Sequence, residues 1–339
     1  MTQTTDYLTE RGAQFRNGRV SSFSTLKDEV GALMSGAGLV PLLSTTPLRL
    51  TEADRLDFLH GQVSNDVKGL QVGETNTSLL LNVKGHALAQ MRVYRREDDL
   101  FVAVEGGAGD FVQRELQAHI IFDQVELETL AGAITSFTLQ GEKAGEVLSD
   151  IFDTELPSEG SFVQPSFESA KVLVASVKRG AAGGFDLHVL SRDADKLFER
   201  LEQAGVAPVG EDALGAVRVA AGIASARGEG GEGALPQEVG LEHAVSYRKG
   251  CYLGQEIMAR IEARGKLRKG LRGVKFDVLP GGETRDLTLD GKKVGRLGSV
   301  VEHPEFGVIG LASVRTELVL GQEVEVGEVK AALSNLPFL

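Results

Sequence analysis

Cysteine occurs once in this chain, at position 251, inside Tyr247-Arg248-Lys249-Gly250-Cys251-Tyr252-Leu253-Gly254-Gln255-Glu256, which continues to Ala259-Arg260. A cation two residues before a thiol would favour the thiolate, the reactive form of sulfur, and a helix beginning near Gly254 would add its positive N-terminal end. Gly250 and Gly254 would let backbone approach a ligand closely. A lone cysteine is also an ordinary small buried hydrophobe. Against that, Lys, Tyr, Gln and Glu make this stretch too polar for a core strand, and from the residues alone the two readings stand level. A single thiol excludes an intramolecular disulfide and cannot alone supply the four thiolates of an iron–sulfur cluster. The six histidines (His60, His86, His119, His188, His243 and His303) show no i, i+3 or i, i+4 pair, so no metal site is expected.

The elements that must position this segment read as α+β, with mixed sheet-and-helix layers rather than a doubly wound parallel sheet. Residues 1 to about 45 are polar and Gly-containing, and a loosely held lead-in is expected there. Thr51 with Asp54 has a capping-box spacing, and Leu56, Leu59 and Val63 share a face, which predicts a helix over 51–63. Strands follow at 78–83, 87–94 and 100–104, with turns at Lys84-Gly85 and Asp98-Asp99, then a helix at about 110–120. The alternation resumes at 125–130 and 134–139, with a helix at 142–152, strands at 172–177 and 185–190, and an amphipathic helix at 193–204 closed by Gly205. Beyond about residue 271 only short strands remain (271–276, 287–289, 294–300, 308–313 and 324–326). Asp290-Gly291 is a hairpin signal, and such spacing predicts a small C-terminal β-barrel. The domain boundary is placed near residue 265.

Lys249-Gly250-Cys251-Tyr252-x-Gly254-Gln255-Glu256 resembles the signature of the YgfZ family, relatives of the T-protein of the glycine cleavage system. Three further segments resemble the family in its order: Asp54 to Val67, Leu80 to His86, and the arginine helix Val217-Arg218-Val219-Ala220-Ala221-Gly222-Ile223. Together they cover roughly residues 45 to 275. The resemblance implies a GcvT-like folate-binding region over 46–265 in two sub-domains, a barrel over 266–339, and three parts around a hole that holds tetrahydrofolate. It also implies a role in assembling or maintaining iron–sulfur clusters in client enzymes, one of them tRNA-modifying. Lys249 and Cys251 match the functional lysine and cysteine, with Gly250, Tyr252, Gly254, Gln255, Glu256 and Arg260 as their frame. Tyr247 and Tyr252 would either line the pocket or pack against the barrel.

Departures from the transferases bear on activity. Their turn matching Lys84-Gly85 is followed by an aspartate pair, one of it catalytic, whereas Ala89 and Gln90 stand here. Neither is a carboxylate acid or base, so aminomethyl transfer by that route is disfavoured, and a folate-dependent one-carbon transferase is kept only as the alternative. The transferases' Gly-Phe-Glu, whose carboxylate binds the pterin, is Gly184-Phe185-Asp186, one methylene shorter. Arg218 matches the folate-site arginine, although the Glu usual two residues later is Ala220. A carboxylate suits a pterin's donor–donor edge, and Arg suits the anionic glutamate tail. The competing readings are a polar residue on the outer face of a strand for Asp186 and a surface salt bridge for Arg218.

Charge sets the remaining expectations. The chain has 339 residues and a net charge of −12, which should repel nucleic acid and anionic membranes. The basic run Arg260, Arg264, Lys266, Arg268, Lys269 and Arg272 reverses that sign locally. It would suit a folate polyglutamate tail, a client protein or tRNA phosphates, or serve only as a solvated linker. No aromatic residues interleave it, which weakens direct tRNA contact. Gly228–Gly233 lacks Lys-Ser/Thr and is no P-loop; it reads as a surface loop or a lid. The N-terminus has no basic start followed by an apolar run, and no window reaches the roughly 18 apolar residues of a span. A cytoplasmic protein with no membrane contact is expected.

Overall fold

The computed structural model describes residues 3–168 and 170–338. Its chain divides into two compact units, one of Met1–Arg55, Leu70–Asn76 and Arg92–Val217, the other of Leu56–Gly69, Thr77–Met91 and Arg218–Leu339.

In the first unit the described part of the expected lead-in is fully folded. It forms the helix Gln3–Glu10, a hairpin of Gln14–Arg16 with Arg19–Ser22, the helix Leu26–Ser35 and the strand Gly38–Pro41. The reason is that its few apolar residues are placed well: Leu8, Val20 and Val40 are completely buried and Leu33 and Leu39 nearly so. Thr25 starts the second helix by accepting the Asp28 N–H at 3.2 Å. Gly38–Pro41 then enters a six-stranded sheet, ordered Phe162–Val163, Leu173–Ser176, Gly184–Leu190, Ile134–Gln140, Gly38–Pro41 and Ala207–Pro208.

Two strands of that sheet place the polar groups of this unit. Alternation sends Phe137, Leu139, Leu187 and Val189 into one core with Leu197, Phe198 and Leu201 of the helix Ser191–Gln203. The opposite face carries Ser136, Thr138 and Gln140, paired in register with His188, Asp186 and Gly184. The chain's five-stranded sheet runs in the order Thr75–Leu81, Ala87–Arg95, Leu100–Val104, Thr46–Thr51 and Glu126–Thr129. The helix expected from Thr51 begins only at Arg55. Thr51 instead ends a strand in register with Glu126, Glu52 takes φ 74, and the Asp54 carboxylate accepts the Gln124 N–H at 2.7 Å. Spacing alone suggested the cap; sheet pairing overrides it.

The second unit ends in a closed barrel, ordered Lys269–Phe276, Gly307–Arg315, Lys292–His303, Asp286–Leu289, Glu323–Val326 and Val329–Ser334. Closure leaves no open edge, and Val274, Leu287, Val294, Leu297, Val324 and Val326 fill the interior. Asp290 and Gly291 both take positive φ, 50° and 71°, as a two-residue hairpin turn requires. The sixth strand, Val329–Ser334, had no counterpart among the expected ones. The chain is thus α+β, with mixed sheets and helices and a closed six-stranded C-terminal barrel. Among the described residues no helix is long and apolar enough to cross a membrane.

Candidate functional site

The lysine of the signature faces away from solvent. Lys249 is 8% exposed, and its ammonium donates to the carbonyls of His60, of Val63 at 2.6 Å and of Asn65 at 3.0 Å. Those carbonyls lie at and just beyond the C-terminal end of the helix Arg55–Gln62, where backbone acceptors have no helical partner and the dipole favours a cation. Each of the three ammonium protons has an acceptor. The ammonium also stands 4.8 Å from the Tyr252 ring centroid. Burial pushes it down to about 8, with Asp66 pulling the other way. Lys249 therefore anchors the turn that carries Cys251, and Cys251 itself is exposed.

Two glycines lock the same turn. Gly254 takes φ +84 immediately before the helix Gln255–Arg264, and a Cβ there would sit 2.8 Å from the Asn82 carbonyl oxygen. Gly85 takes φ +75, and its Cβ would meet Met258 at 2.7 Å. The turn 82–85 and the signature thus interlock at backbone distance, which is the close approach expected of Gly254, with chain rather than ligand as the partner. Gln255 continues the turn by donating its N–H to Tyr252, and the exposed Glu256 pairs with Arg260 at 3.0 Å. Tyr252 packs with Leu79, Leu81 and Met258, its hydroxyl buried without a protein partner. Tyr247 is bound by Gln237 at 2.8 Å and donates to Glu242 at 3.1 Å.

Sequence reasoning gave His60 no role, yet it stands at this turn. Its Nε2 lies 3.8 Å from where a Cβ on Gly250 would be. Nδ1 lies 3.3 Å from both the Lys68 N–H, which it accepts, and the Asp66 carboxylate. Burial and then Lys249 hold the imidazole below its ordinary value.

The glycine-rich loop is tied down. Gly231 donates to the Ala87 carbonyl at 2.7 Å, Gly233 to His86 Nδ1 at 3.1 Å, and Ala87 to the Ala234 carbonyl at 3.0 Å. Ala89 is buried, and Gln90 accepts the Ala226 N–H at 3.0 Å. The positions of the missing aspartate pair therefore serve packing and loop attachment. A small cleft of ≈ 40 Å³ lies beside this loop, with Lys269 and Arg296 in its lining. Of the remaining basic run, Lys266 is exposed, Arg272 donates to the Leu271 carbonyl, and the Arg264 side chain lies outside the described residues.

Arg218 occupies the last turn of the helix Glu211–Ala220. Its Nη1 donates to the Ile223 carbonyl at 2.6 Å and to Glu229 at 3.2 Å, and its Nη2 to Ser299 at 2.6 Å. Glu229 is buried and also accepts from the Ser225 and Ser299 N–H groups. The salt bridge considered for Arg218 is present, but it is internal.

Asp186 is not on an outer face. It is 2% exposed, and Arg179 forks it, Nε to Oδ1 at 2.8 Å and Nη2 to Oδ2 at 2.6 Å. The Nη2 also reaches Glu105 at 2.8 Å. Burial works to raise this carboxylate, and the guanidinium outweighs it, so Asp186 is held below its ordinary value. Two residues along, His188 is bound by Tyr94 at 3.0 Å and Ser136 at 2.8 Å, and burial pushes it down to about 4. Arg179 and Glu105 were not anticipated. The available signal was an arginine placed just across the Gly/Ala hairpin loop from Asp186.

The chain is 29% identical to an aminomethyltransferase of Listeria welshimeri over 328 residues, 93% of this chain and 90% of that one. It is 28% identical to an aminomethyltransferase of Halalkalibacterium halodurans over 316 residues, 90% and 86% of the two chains. The glycine cleavage system aminomethyltransferase T of Bartonella henselae shares its fold, with a TM-score of 0.86 at 19% identity over 99% of this chain and 97% of that one. Residues 268–337 match the CAF17 C-terminal beta-barrel domain. Residues 3–249 match the GCVT N-terminal domain, and with that match spanning most of its length the chain belongs to the GCVT N-terminal domain family.

Proposed function

We propose that this chain is a cytoplasmic, YgfZ-like folate-binding accessory protein that supports the assembly or maintenance of iron–sulfur clusters in client enzymes, tRNA-modifying ones included. The observation that carries the reading is the exposed Cys251 on a turn fixed by Lys249 and by the Gly254–Gly85 interlock. A rigid, accessible thiol is suited to contacting a cluster or a client, and Lys249 acts by holding it in place. The match of the barrel to that of CAF17 favours the iron–sulfur side of the resemblance.

For the folate, the acceptor set fits. A buried carboxylate that already receives two parallel N–H bonds has the geometry a pterin's donor–donor edge needs. Asp186 is the residue proposed to hold the ring, and Arg218, in the other unit, is the one proposed to meet an anionic group. A reduced folate supplies, when bound, nitrogen atoms that accept one-carbon units.

The relatives named aminomethyltransferase keep the transferase reading in play, while Ala89 and Gln90 offer no carboxylate for it. Two measurements on the wild-type protein test the proposal: calorimetric titration with tetrahydrofolate, and turnover with an aminomethyl-loaded carrier and tetrahydrofolate. Saturable binding without turnover is expected. Sustained turnover would make the protein a transferase.

A further inference from the structure

Arg179 presents to Asp186 the same kind of edge that a pterin would bring. Its Nε–H and Nη2–H are parallel donors in one plane, 2.8 and 2.6 Å from the two carboxylate oxygens. A 2-amino-4-oxopteridine ring offers the same pattern through its ring N–H and amino group. Two planar donors cannot occupy one carboxylate edge together.

We propose that Arg179 is an internal competitor for Asp186, and that a pteridine ring binds there only as the guanidinium shifts onto Glu105. This rests on the folate reading above. Three observations carry it further. Glu105 already accepts from the Arg179 Nη2 at 2.8 Å, so a guanidinium released from Asp186 keeps a carboxylate partner. Releasing a buried cation with no second acceptor would be far more costly. The Arg179 backbone is fixed, its N–H donating to Gln140 Oε1 at 3.1 Å, so the exchange requires only side-chain rotation. The Asp186 backbone is likewise fixed, mid-strand in register with Thr138 on one side and Ala175 on the other. The carboxylate is the more buried partner, and the guanidinium, about a sixth exposed at 17%, is the mobile one.

The same geometry sets ligand choice. Arg179 withholds Asp186 from single-point donors, because only a ligand with two coplanar N–H groups replaces the whole fork. Ligands without the ring gain nothing from the exchange.

The test is calorimetric titration of wild type, Arg179→Met and Arg179→Lys with tetrahydrofolate and with p-aminobenzoylglutamate, which lacks the ring. Arg179→Met is expected to bind tetrahydrofolate about tenfold tighter than wild type, because the competing fork is gone. Arg179→Lys, with a point charge in place of the fork, should fall between them, and p-aminobenzoylglutamate should bind the three proteins alike. Equal or weaker tetrahydrofolate binding by Arg179→Met, with wild type binding, overturns the competition and leaves the folate reading standing. Absence of saturable binding in every folded protein overturns both. Should Arg179→Met fail to fold around an unpaired Asp186, Arg179→Lys decides: tightening supports the competition and weakening overturns it.

Discussion

Replacing Lys249 by Met separates an anchoring role from a chemical one. The substitution keeps most of the length of the side chain but leaves the carbonyls of His60, Val63 and Asn65 without their shared donor. Hydrogen bonds to a charged group contribute roughly 1.5–3 kcal/mol each, and a buried acceptor left unmade costs about 1–3 kcal/mol. Partial rehydration of the helix end recovers some of this, so a net loss of about 3 kcal/mol is expected. At about 2–4 °C per kcal/mol for chains above 150 residues, the affected transition should fall by about 6–12 °C. Thermal and urea unfolding of Lys249→Met beside wild type is the assay, with circular dichroism and the Cys251 thiol titre as probes. A variant as stable as wild type that nonetheless fails to support a client would refute the anchoring argument and return Lys249 to a chemical role.

Cys251→Ser should leave unfolding within about 0.5 kcal/mol of wild type, since the side chain is exposed; a larger loss would show that the thiol packs. Gly254→Ala should destabilise by about 1–3 kcal/mol, because the position needs φ +84 and a Cβ would reach within 2.8 Å of the Asn82 oxygen. Neutral stability of that variant in urea would contradict the interlock. Burial holds His188 at about 4 in the folded chain, below the ordinary 6.5, so the unfolded chain binds more protons between those values. Stability should therefore be complete above about pH 6.5 and fall as pH drops toward 4, by about 3 kcal/mol in all. Equal urea midpoints at pH 7 and pH 4.5 would show that His188 titrates freely.

Local patterns were legible where local physics decides. The strand Leu100–Val104, the helix Ser191–Gln203 and the Asp290-Gly291 hairpin follow from alternation, amphipathicity and positive φ, each contained within a few residues. Residues 3–41 were not legible as folded, because their core positions are scattered among polar ones and fill only against distant strands. At the candidate site, composition identified the polar signature but not what Lys249 does. Its acceptors are backbone carbonyls more than 180 residues away. Every residue carries a carbonyl, so no side-chain pattern announces that partnership. Asp186 was read with a ligand's donors in mind, and its actual donor is a neighbouring arginine across the hairpin.

The central claim is that an accessible Cys251 supports iron–sulfur enzymes without serving the fold. Its most direct test measures the activity of an iron–sulfur, tRNA-modifying client in cells lacking this protein and supplied with either wild type or Cys251→Ala at equal levels. The account predicts restoration by wild type and none by Cys251→Ala, although the variant unfolds at the wild-type midpoint. Full restoration by Cys251→Ala would contradict it.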